Sequence, residues 1–298
     1  MQQVVAAAAD GRMGTPPPQL DDATRRAVLA EAQRWGLPLS FTGNGPILDY
    51  PAEPLDAARI AADAGYPPQS VRTLAFCDST NTRLFEATGL MLCLAEAQWA
   101  GRGRRGRSWY SPFGRHLYLS LRLPAIPGTS ASLPLVAALS VHQLLAAQLP
   151  GLWVKWPNDL WVGGQKLGGF LLEGRYCGGR QDWVLGMGLN CHLDPSLEPA
   201  ATCLAEHGLI VHRNELAAAI LRQWRKDFAL LDQAGFVAFT QRWKVADRLR
   251  DRIVEIQQDG RQRLGRALGV DEEGRLQVRI EGHEERLHAA DVRIRARP

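Results

Sequence analysis

Residues 100–107 read Ala100-Gly-Arg-Gly-Arg-Arg-Gly-Arg107, three glycines interleaved with four arginines. Glycine lets a backbone approach a phosphate and aim N–H groups at it. Arginine adds an always-charged planar fork that matches phosphate geometry. The chemistry on offer is anion binding. Gly101, Gly103 and Gly106 also match the dinucleotide fingerprint G-x-G-x-x-G letter for letter. That fingerprint requires a helix directly after the glycines and an acid about 20 residues on. Here Pro112 and Gly114 oppose a helix and the next acid is Asp159, so that reading is set aside. A solvated basic loop is the plain alternative, as is a nucleic-acid tether in which Trp109, Tyr110 and Phe113 stack on bases.

Two lysines form a second group. Val154-Lys-Trp-Pro-Asn-Asp-Leu160 puts a charge inside an apolar strand and then turns at Pro157-Asn158-Asp159. Lys166 follows eleven residues after Lys155, in Gly163-Gly-Gln-Lys-Leu-Gly-Gly169. A hairpin turning near Gly163-Gly164 predicts Lys155 and Lys166 on neighbouring strands. Two ammonium groups held so close repel unless an anion lies between them. The alternative is a snorkelling surface lysine and a turn lysine. A third group is uncharged. Asp78-Ser79-Thr80-Asn81 follows a strand and opens a helix, and Gln98 ends an apolar strand just before the Gly/Arg loop. Helix capping alone would explain Asp78 and Ser79. As a set, these neutral donors and acceptors suit an uncharged polar ligand such as a urea.

The elements that must position these groups follow from the rest of the chain. With 298 residues, 46% of them hydrophobic and 22% charged, it is long enough for one large domain and an appendage with a real core. No apolar run is long enough to span a bilayer and no signal peptide is read, so a cytoplasmic location is expected. Cys77, Cys93, Cys177, Cys191 and Cys203 are scattered without ligand spacing and read as buried reduced thiols. The net charge of +4 is small, yet no acid occurs between Glu96 and Asp159, where seven cations lie (Arg102, Arg104, Arg105, Arg107, Arg115, Arg122 and Lys155). A segment of one sign makes a local positive field.

Residues 1–20, rich in Ala, Gly and Pro, read as a flexible tail. Asp21 or Asp22 caps a helix reaching Trp35, followed by a hairpin around Gly43-Asn44-Gly45. From residue 53 the pattern is mixed α/β. Strands are expected at 71–76, 90–96, 116–123, 153–156, 167–172 and 184–190. Helices are expected at 80–88, 133–149, from an Asn214 cap through Leu231, and at 236–243. After residue 248, short alternating runs separated by glycines predict a small all-β module.

Taken together, Asp78-Ser-Thr-Asn81, Gln98-x-x-Gly-Arg-Gly-Arg-Arg-Gly-Arg107, Lys155-Trp-Pro-Asn-Asp159, Lys166-Leu-x-Gly169 and Met187-Gly-Leu-Asn190 resemble, in order and spacing, the motifs of biotin protein ligases. The resemblance covers residues 37–298. It implies an α+β fold: a mixed sheet with flanking helices, similar to class II aminoacyl-tRNA synthetases and lipoate ligases, followed by a C-terminal SH3-like β-barrel. The implied division is a helix-plus-wing remnant at 21–52, a catalytic domain at 53–247 and the barrel at 248–298. The implied activity is formation of biotinyl-5'-AMP from biotin and ATP, magnesium assisting, then transfer of biotin to a lysine of the biotin carboxyl carrier protein of acetyl-CoA carboxylase.

By the same resemblance, Ser79, Thr80, Asn81 and Gln98 hold the ureido ring, and Arg102, Gly103 and Arg104 close over biotin and the phosphate. Lys166, with Gly169, contacts biotin and its adenylate. Arg107, Trp109, Lys155, Asn158, Asn190 and Arg295 lie toward the nucleotide. Arg104, Lys155 and Lys166 stabilise charge in the reaction. Asp159 is a candidate to accept or orient the proton of the incoming lysine, or else only caps its turn. No metal ligands are identified. A lipoate- or octanoate-using enzyme of the same fold is the alternative, and Ser79-Thr80-Asn81 with the Gly/Arg loop favours biotin.

Two features depart from the family pattern. Only a helix and a wing-like hairpin precede Pro51, where repressing members carry a full winged helix. Residues 21–50 hold three basic and four acidic residues, too few cations to neutralise DNA phosphates, so no operator binding is expected. Asp291 stands where the family's last strand carries Glu. Monomer and homodimer both remain open.

Overall fold

The computed structural model describes residues 21–34, 37–42, 45–48, 53–123, 132–177, 180–194, 197–258, 260–288 and 290–295. The expected tail at 1–20, the helix end at Trp35 and the Gly43-Asn44 turn lie outside the described residues.

Seven strands form one sheet in the order β3-β4-β5-β9-β8-β7-β6. These are β3 Val71–Leu74, β4 Leu92–Ala95, β5 Leu117–Leu123, β6 Leu152–Lys155, β7 Asp159–Val162, β8 Gln165–Cys177 and β9 Arg180–Leu189. Only β3 and β4 are parallel and every other pair is antiparallel, so the sheet is mixed. One face is covered by α2 (Ala57–Ala64), α4 (Leu133–Leu145) and α5 (Arg213–Ala234). Ten of the thirteen residues of α4 are buried, as its apolar composition requires. Burial of α5 centres on Trp224, whose indole N–H donates to Ala137 O of α4 at 3.2 Å. The shorter α3 (Thr80–Glu86) lies over β4, β5 and β9, where Leu84 packs with Cys93 and Val184.

Five C-terminal strands form: β10 Ile253–Gln258, β11 Arg261–Val270, β12 Leu276–Ile280, β13 His283–Leu287 and β14 Asp291–Ile294; four match the alternating runs, while β13 starts at His283, three residues before the run at 286–289 expected there. They form an open antiparallel sheet ordered β13-β12-β11-β10-β14. Its inner residues, Val254, Ile256, Ala267, Leu276 and Val278, join the same core as the seven-stranded sheet. Trp156 Nε1 donates to Gly274 O at 2.9 Å across that junction. At the other end of the chain, α1 (Asp22–Arg34) is capped by Asp21, whose carboxylate accepts from Thr24 N at 2.7 Å. With the hairpin β1 (Leu39–Thr42) and β2 (Gly45–Leu48), α1 packs Val28, Ala32, Leu37 and Leu39 against Ala97 and Phe113.

Three expectations are corrected. The lysine hairpin contains an additional strand, so β7 separates Lys155 on β6 from Lys166 on β8. Asn214 is not a cap: α5 starts at Arg213, and the Asn214 side chain accepts from Asp56 N at 2.8 Å and donates to Pro54 O at 2.9 Å, tying α5 to the entry of α2. The helix from 133 ends at Leu145, short of 149. Besides β7, the sequence leaves α2 unmarked. Asp56 accepts from Arg59 N to start α2, and Gly65, at φ 69°, ends it, a cap and stop that frame only eight residues. Cys77, Cys93, Cys191 and Cys203 are free thiols. Burial pushes Cys93 and Cys191 up to about 12, so these two are packing residues.

Candidate active site

A cavity of about 770 Å³ lies over β8 and β9. Gly169, Phe170 and Leu171 of β8 and Gly186, Met187 and Gly188 of β9 line it, together with the α3 N-terminus, the Gly/Arg loop and residues 197–201. Ser79, Thr80, Asn81, Gln98, Arg102, Gly103, Arg104 and Arg107 are all at its wall, as are Trp109, Asn158, Asp159, Lys166 and Asn190. Lys155 and Arg295 are not. Lys155 Nζ sits 4.1 Å over the ring of Trp161, which does line the cavity. Arg295 is exposed, and its backbone N donates to Ile253 O at 3.0 Å.

The neutral set is a connected network. Gln98 Oε1 accepts from Thr80 N at 2.9 Å, and Gln98 Nε2 donates to Ser111 Oγ at 3.0 Å. Ser120 Oγ, fully buried on β5, is 2.6 Å from both Thr80 Oγ1 and Asn81 Oδ1. One hydroxyl carries one proton. Asn81 Oδ1 can only accept, so the consistent assignment has Ser120 donate to Asn81 and accept from Thr80. Asn81 Nδ2 donates to Glu173 Oε2 at 2.7 Å. Asn81 thus spends one amide hydrogen and one acceptor site inside the protein, which fixes its amide at the cavity wall. Gly186 makes room for it, since a Cβ there would overlap Asn81 Oδ1. Gly188 does the same for Trp109, whose indole lies where the Cβ would be.

The charged set is arranged unequally. Arg102 Nη2 reaches Glu173 Oε2 at 3.3 Å. Arg105 and Arg107 pair with Asp291 of β14. Arg104 has no carboxylate within ion-pair distance among the described residues. Its Nη1 donates to Asn158 Oδ1 at 3.2 Å, and Asn158 Nδ2 donates to Phe170 O at 2.6 Å. Burial, ahead of the opposing pull of Asp291 and Asp159, lowers the Arg104 pKa. A partly desolvated guanidinium without a counter-acid attracts an anion strongly. The turn that presents it runs through Arg105 (φ 58°) and Gly106 (φ 72°), both left-handed.

Asp159 is the anion between the two lysines. It opposes Lys155 in the β6–β7 register, and its Oδ1 is 2.9 Å from Lys166 Nζ. Lys166 Nζ also lies 5.1 Å from the Trp109 ring centre. The Lys155 pKa is lowered, first by burial, with Lys166 adding to the effect and Asp159 opposing it. Asn190 donates to Thr202 O at 2.9 Å, and Lys166 N and O exchange bonds with the 200–202 segment, fixing that wall.

Ser120, Ser111, Trp161 and Glu173 were not found from sequence. Ser120 and Glu173 are polar residues in apolar strands, which was the available signal. Their partners depend on cross-strand register, which spacing along one strand does not supply.

Residues 73–190 match the Biotin/lipoate A/B protein ligase family. The chain is 35% identical over 264 residues to the bifunctional ligase/repressor BirA of Salmonella typhimurium, covering 83% of this chain and 81% of that protein. It is 32% identical to the biotin--[acetyl-CoA-carboxylase] ligase of Paracoccus denitrificans, covering 74% and 98%. The biotin protein ligase of Aquifex aeolicus, solved in complex with biotin and ATP, superposes with a TM-score of 0.68 at 26% identity, covering 76% of this chain and all of that one. Motifs, fold and relatives agree, and the chain belongs to the biotin protein ligase family.

Proposed function

We propose that this protein joins biotin to AMP at the expense of ATP and then passes the biotinyl group to one lysine of a biotin carboxyl carrier domain. The observation that carries this reading is one cavity lined both by neutral donors and acceptors (Ser79, Thr80, Gln98) and by a half-buried guanidinium without a counter-acid among the described residues (Arg104), next to the Asp159–Lys166 pair. The first suits a ureido ring and the second a phosphate.

In the first step a carboxylate oxygen of biotin attacks the α-phosphorus of ATP, the bond to the β-phosphate oxygen breaks, and pyrophosphate leaves. Charge grows on the α-phosphate oxygens, where Arg104 and Lys166 stabilise it. Arg102 and Gly103 lie over the biotin end, and Gly169 leaves space beside Asp159 and Lys166. Arg107, Trp109, Asn158 and Asn190 serve the nucleotide from the cavity wall, while Lys155 and Arg295 act from outside it. The adenylate is a mixed anhydride, and a loop held over it excludes water until the carrier arrives.

In the second step the carrier lysine amine attacks the acyl carbon, the bond to the phosphate oxygen breaks, and AMP leaves. That amine, with a pKa near 10.4, arrives mostly protonated. Asp159 is placed to take or orient the proton once the adenylate phosphate draws Lys166 away from it. Magnesium fits as a companion of the nucleotide. Asp159 and Asp291 at the cavity are already engaged by cations, and among the described residues no group of three His, Cys, Asp or Glu could hold a metal. An ion held mainly by phosphates and one or two carboxylates suits that donor set and would add charge stabilisation.

We assign catalysis to residues 53–247 and read 248–298 as an SH3-like module. The 21–52 unit does not bind operator DNA in this reading. Its cations are few, and Arg25 already lies over the Phe41 ring at 5.6 Å. Salt-sensitive, sequence-specific retardation of operator DNA in a gel shift would contradict this. Among the described residues no helix is long and apolar enough to cross a membrane. Incubating the protein with labelled biotin, ATP and a purified carrier domain tests the main reading. Label on the carrier, with AMP and pyrophosphate released and no label on a carrier lysine→arginine variant, is expected. An unlabelled carrier refutes it.

A further inference from the structure

Glu173 is an acid to which the scheme above gives no part. It sits on β8 opposite Val184 of β9, seven residues beyond Lys166. Its Oε2 accepts from Asn81 Nδ2 at 2.7 Å and from Arg102 Nη2 at 3.3 Å. The same Arg102 nitrogen donates to Thr82 Oγ1 at 3.1 Å. One carboxylate oxygen therefore joins three pieces far apart in sequence: the first turn of α3, the first arginine of the Gly/Arg loop, and the strand under the cavity.

Neither partner has a second acid at hand among the described residues. Asn81 is 3% exposed, its Oδ1 is used by Ser120, and Gly186 closes in on its amide group. Glu173 is the sole acid within ion-pair distance of Arg102 among the described residues. The rest of the loop is held elsewhere, Arg105 and Arg107 by Asp291 and Arg104 by Asn158. The loop entry thus has one side-chain ion pair, to Glu173, beside the backbone bond from Ala100 N to Asp78 O at 3.0 Å, and that ion pair is shared with the neutral network.

We propose that Glu173 is a positioning residue for the biotin end of the site, fixing through Asn81 and Arg102 both the shape of the ureido pocket and the place where the loop lies over it. The proposal rests on the ligase reading of this cavity. Because Glu173 touches the neutral network and not Arg104, Asp159 or Lys166, it governs biotin affinity and leaves ATP affinity and the chemical step largely alone.

The test is biotin-dependent exchange of pyrophosphate into ATP with the full chain, comparing wild type, Glu173→Gln, Arg102→Met and the double variant. Glu173→Gln is expected to raise KM for biotin about tenfold, the scale of one lost charge-assisted bond, with KM for ATP and kcat within about twofold. Arg102→Met should raise the biotin KM at least as much, since it also removes that side chain from over the biotin, and the double variant should fall short of the product of the two singles, because both remove one shared contact. An unchanged biotin KM in Glu173→Gln, an equal loss in ATP KM, or multiplying effects in the double variant overturns the proposal. Limited trypsinolysis gives a readout independent of turnover: cleavage after Arg102 should quicken in Glu173→Gln and stay at the wild-type rate in Asp291→Asn. An unchanged rate after Arg102 overturns the anchor. Absence of exchange in the wild type would instead refute the ligase reading, and the tryptic comparison would still decide the anchor.

Discussion

Among the loop arginines, Arg104 is distinguished by having an amide for a partner where Arg102, Arg105 and Arg107 have carboxylates. Its charge is the one left for substrate. Arg104→Ala is therefore expected to lower kcat for adenylate formation by about 10²–10³-fold, the scale of removing one preorganised donor from developing charge. Lys166→Ala should fall in the same range. Lys155→Met should cost less than either, because Lys155 stands behind Trp161 and off the cavity wall. Steady-state exchange kinetics on the three variants check this order, and equal losses at Lys155 and Lys166 would contradict it. Gly188→Ala tests close approach. Its methyl group would occupy the space of the Trp109 indole, so Trp109 must leave the wall, and KM for ATP in the exchange assay should rise; an unchanged KM would contradict the close approach. At this scale much of the site was legible in the sequence. The arginines, the lysines, Gln98 and the Ser79-Thr80 pair stand in short motifs whose spacing is itself the signal. The contacts that fix Asn81 are not legible, because its partners Ser120 and Glu173 come from β5 and β8 and are 39 and 92 residues away.

Strands and helices were read well wherever apolar periodicity ran long enough. Four of the five C-terminal strands fall on alternating runs between glycines, β13 starts upstream of the run at 286–289 because charged His283-Glu284-Glu285 carry no apolar signal, and β4, β5 and α4 are each marked by an apolar run. Four-residue β7 is hard to read from the sequence because its first residue, Asp159, belongs equally to the Pro157-Asn158-Asp159 turn motif, which leaves only Leu160-Trp161-Val162 as an apolar run. Missing it puts Lys155 and Lys166 on adjacent strands and hides Asp159 as the anion between them. The small α1–β1–β2 unit cannot bury a core alone. It uses Ala97 and Phe113, next in sequence to Gln98 and Pro112 of the cavity wall. Phe113→Ala should then destabilise the protein by ~3–5 kcal/mol, as for other buried aromatic truncations, measurable as a lower denaturation midpoint. A change within experimental error would show that this contact does not hold the unit in place.

For the whole molecule, one buried histidine sets an acid limit. His116 begins next to β5, is fully buried, and accepts from Cys191 N through Nδ1 at 3.2 Å. Asp194 Oδ2 lies 3.7 Å from Nε2, beyond hydrogen-bond distance, and burial dominates, pushing the imidazole down to about 3. The unfolded chain, with an ordinary histidine near 6.5, binds the proton more readily in the window between these values. Its contribution to stability is therefore fully present above about pH 6.5 and is lost as pH falls toward 3. Thermal unfolding from pH 7 to 4 should show Tm falling with acid, and His116→Asn should flatten that slope. An unaltered slope would assign the acid sensitivity to other groups.

The cavity makes an acyl-adenylate from biotin, and exchange of labelled pyrophosphate into ATP, with lipoate and octanoate as comparison acids, reads that step without a carrier protein. Exchange with biotin alone, abolished or severely reduced in Arg104→Ala and Lys166→Ala, is expected. Exchange driven by lipoate or octanoate, or none with any acid, would contradict it.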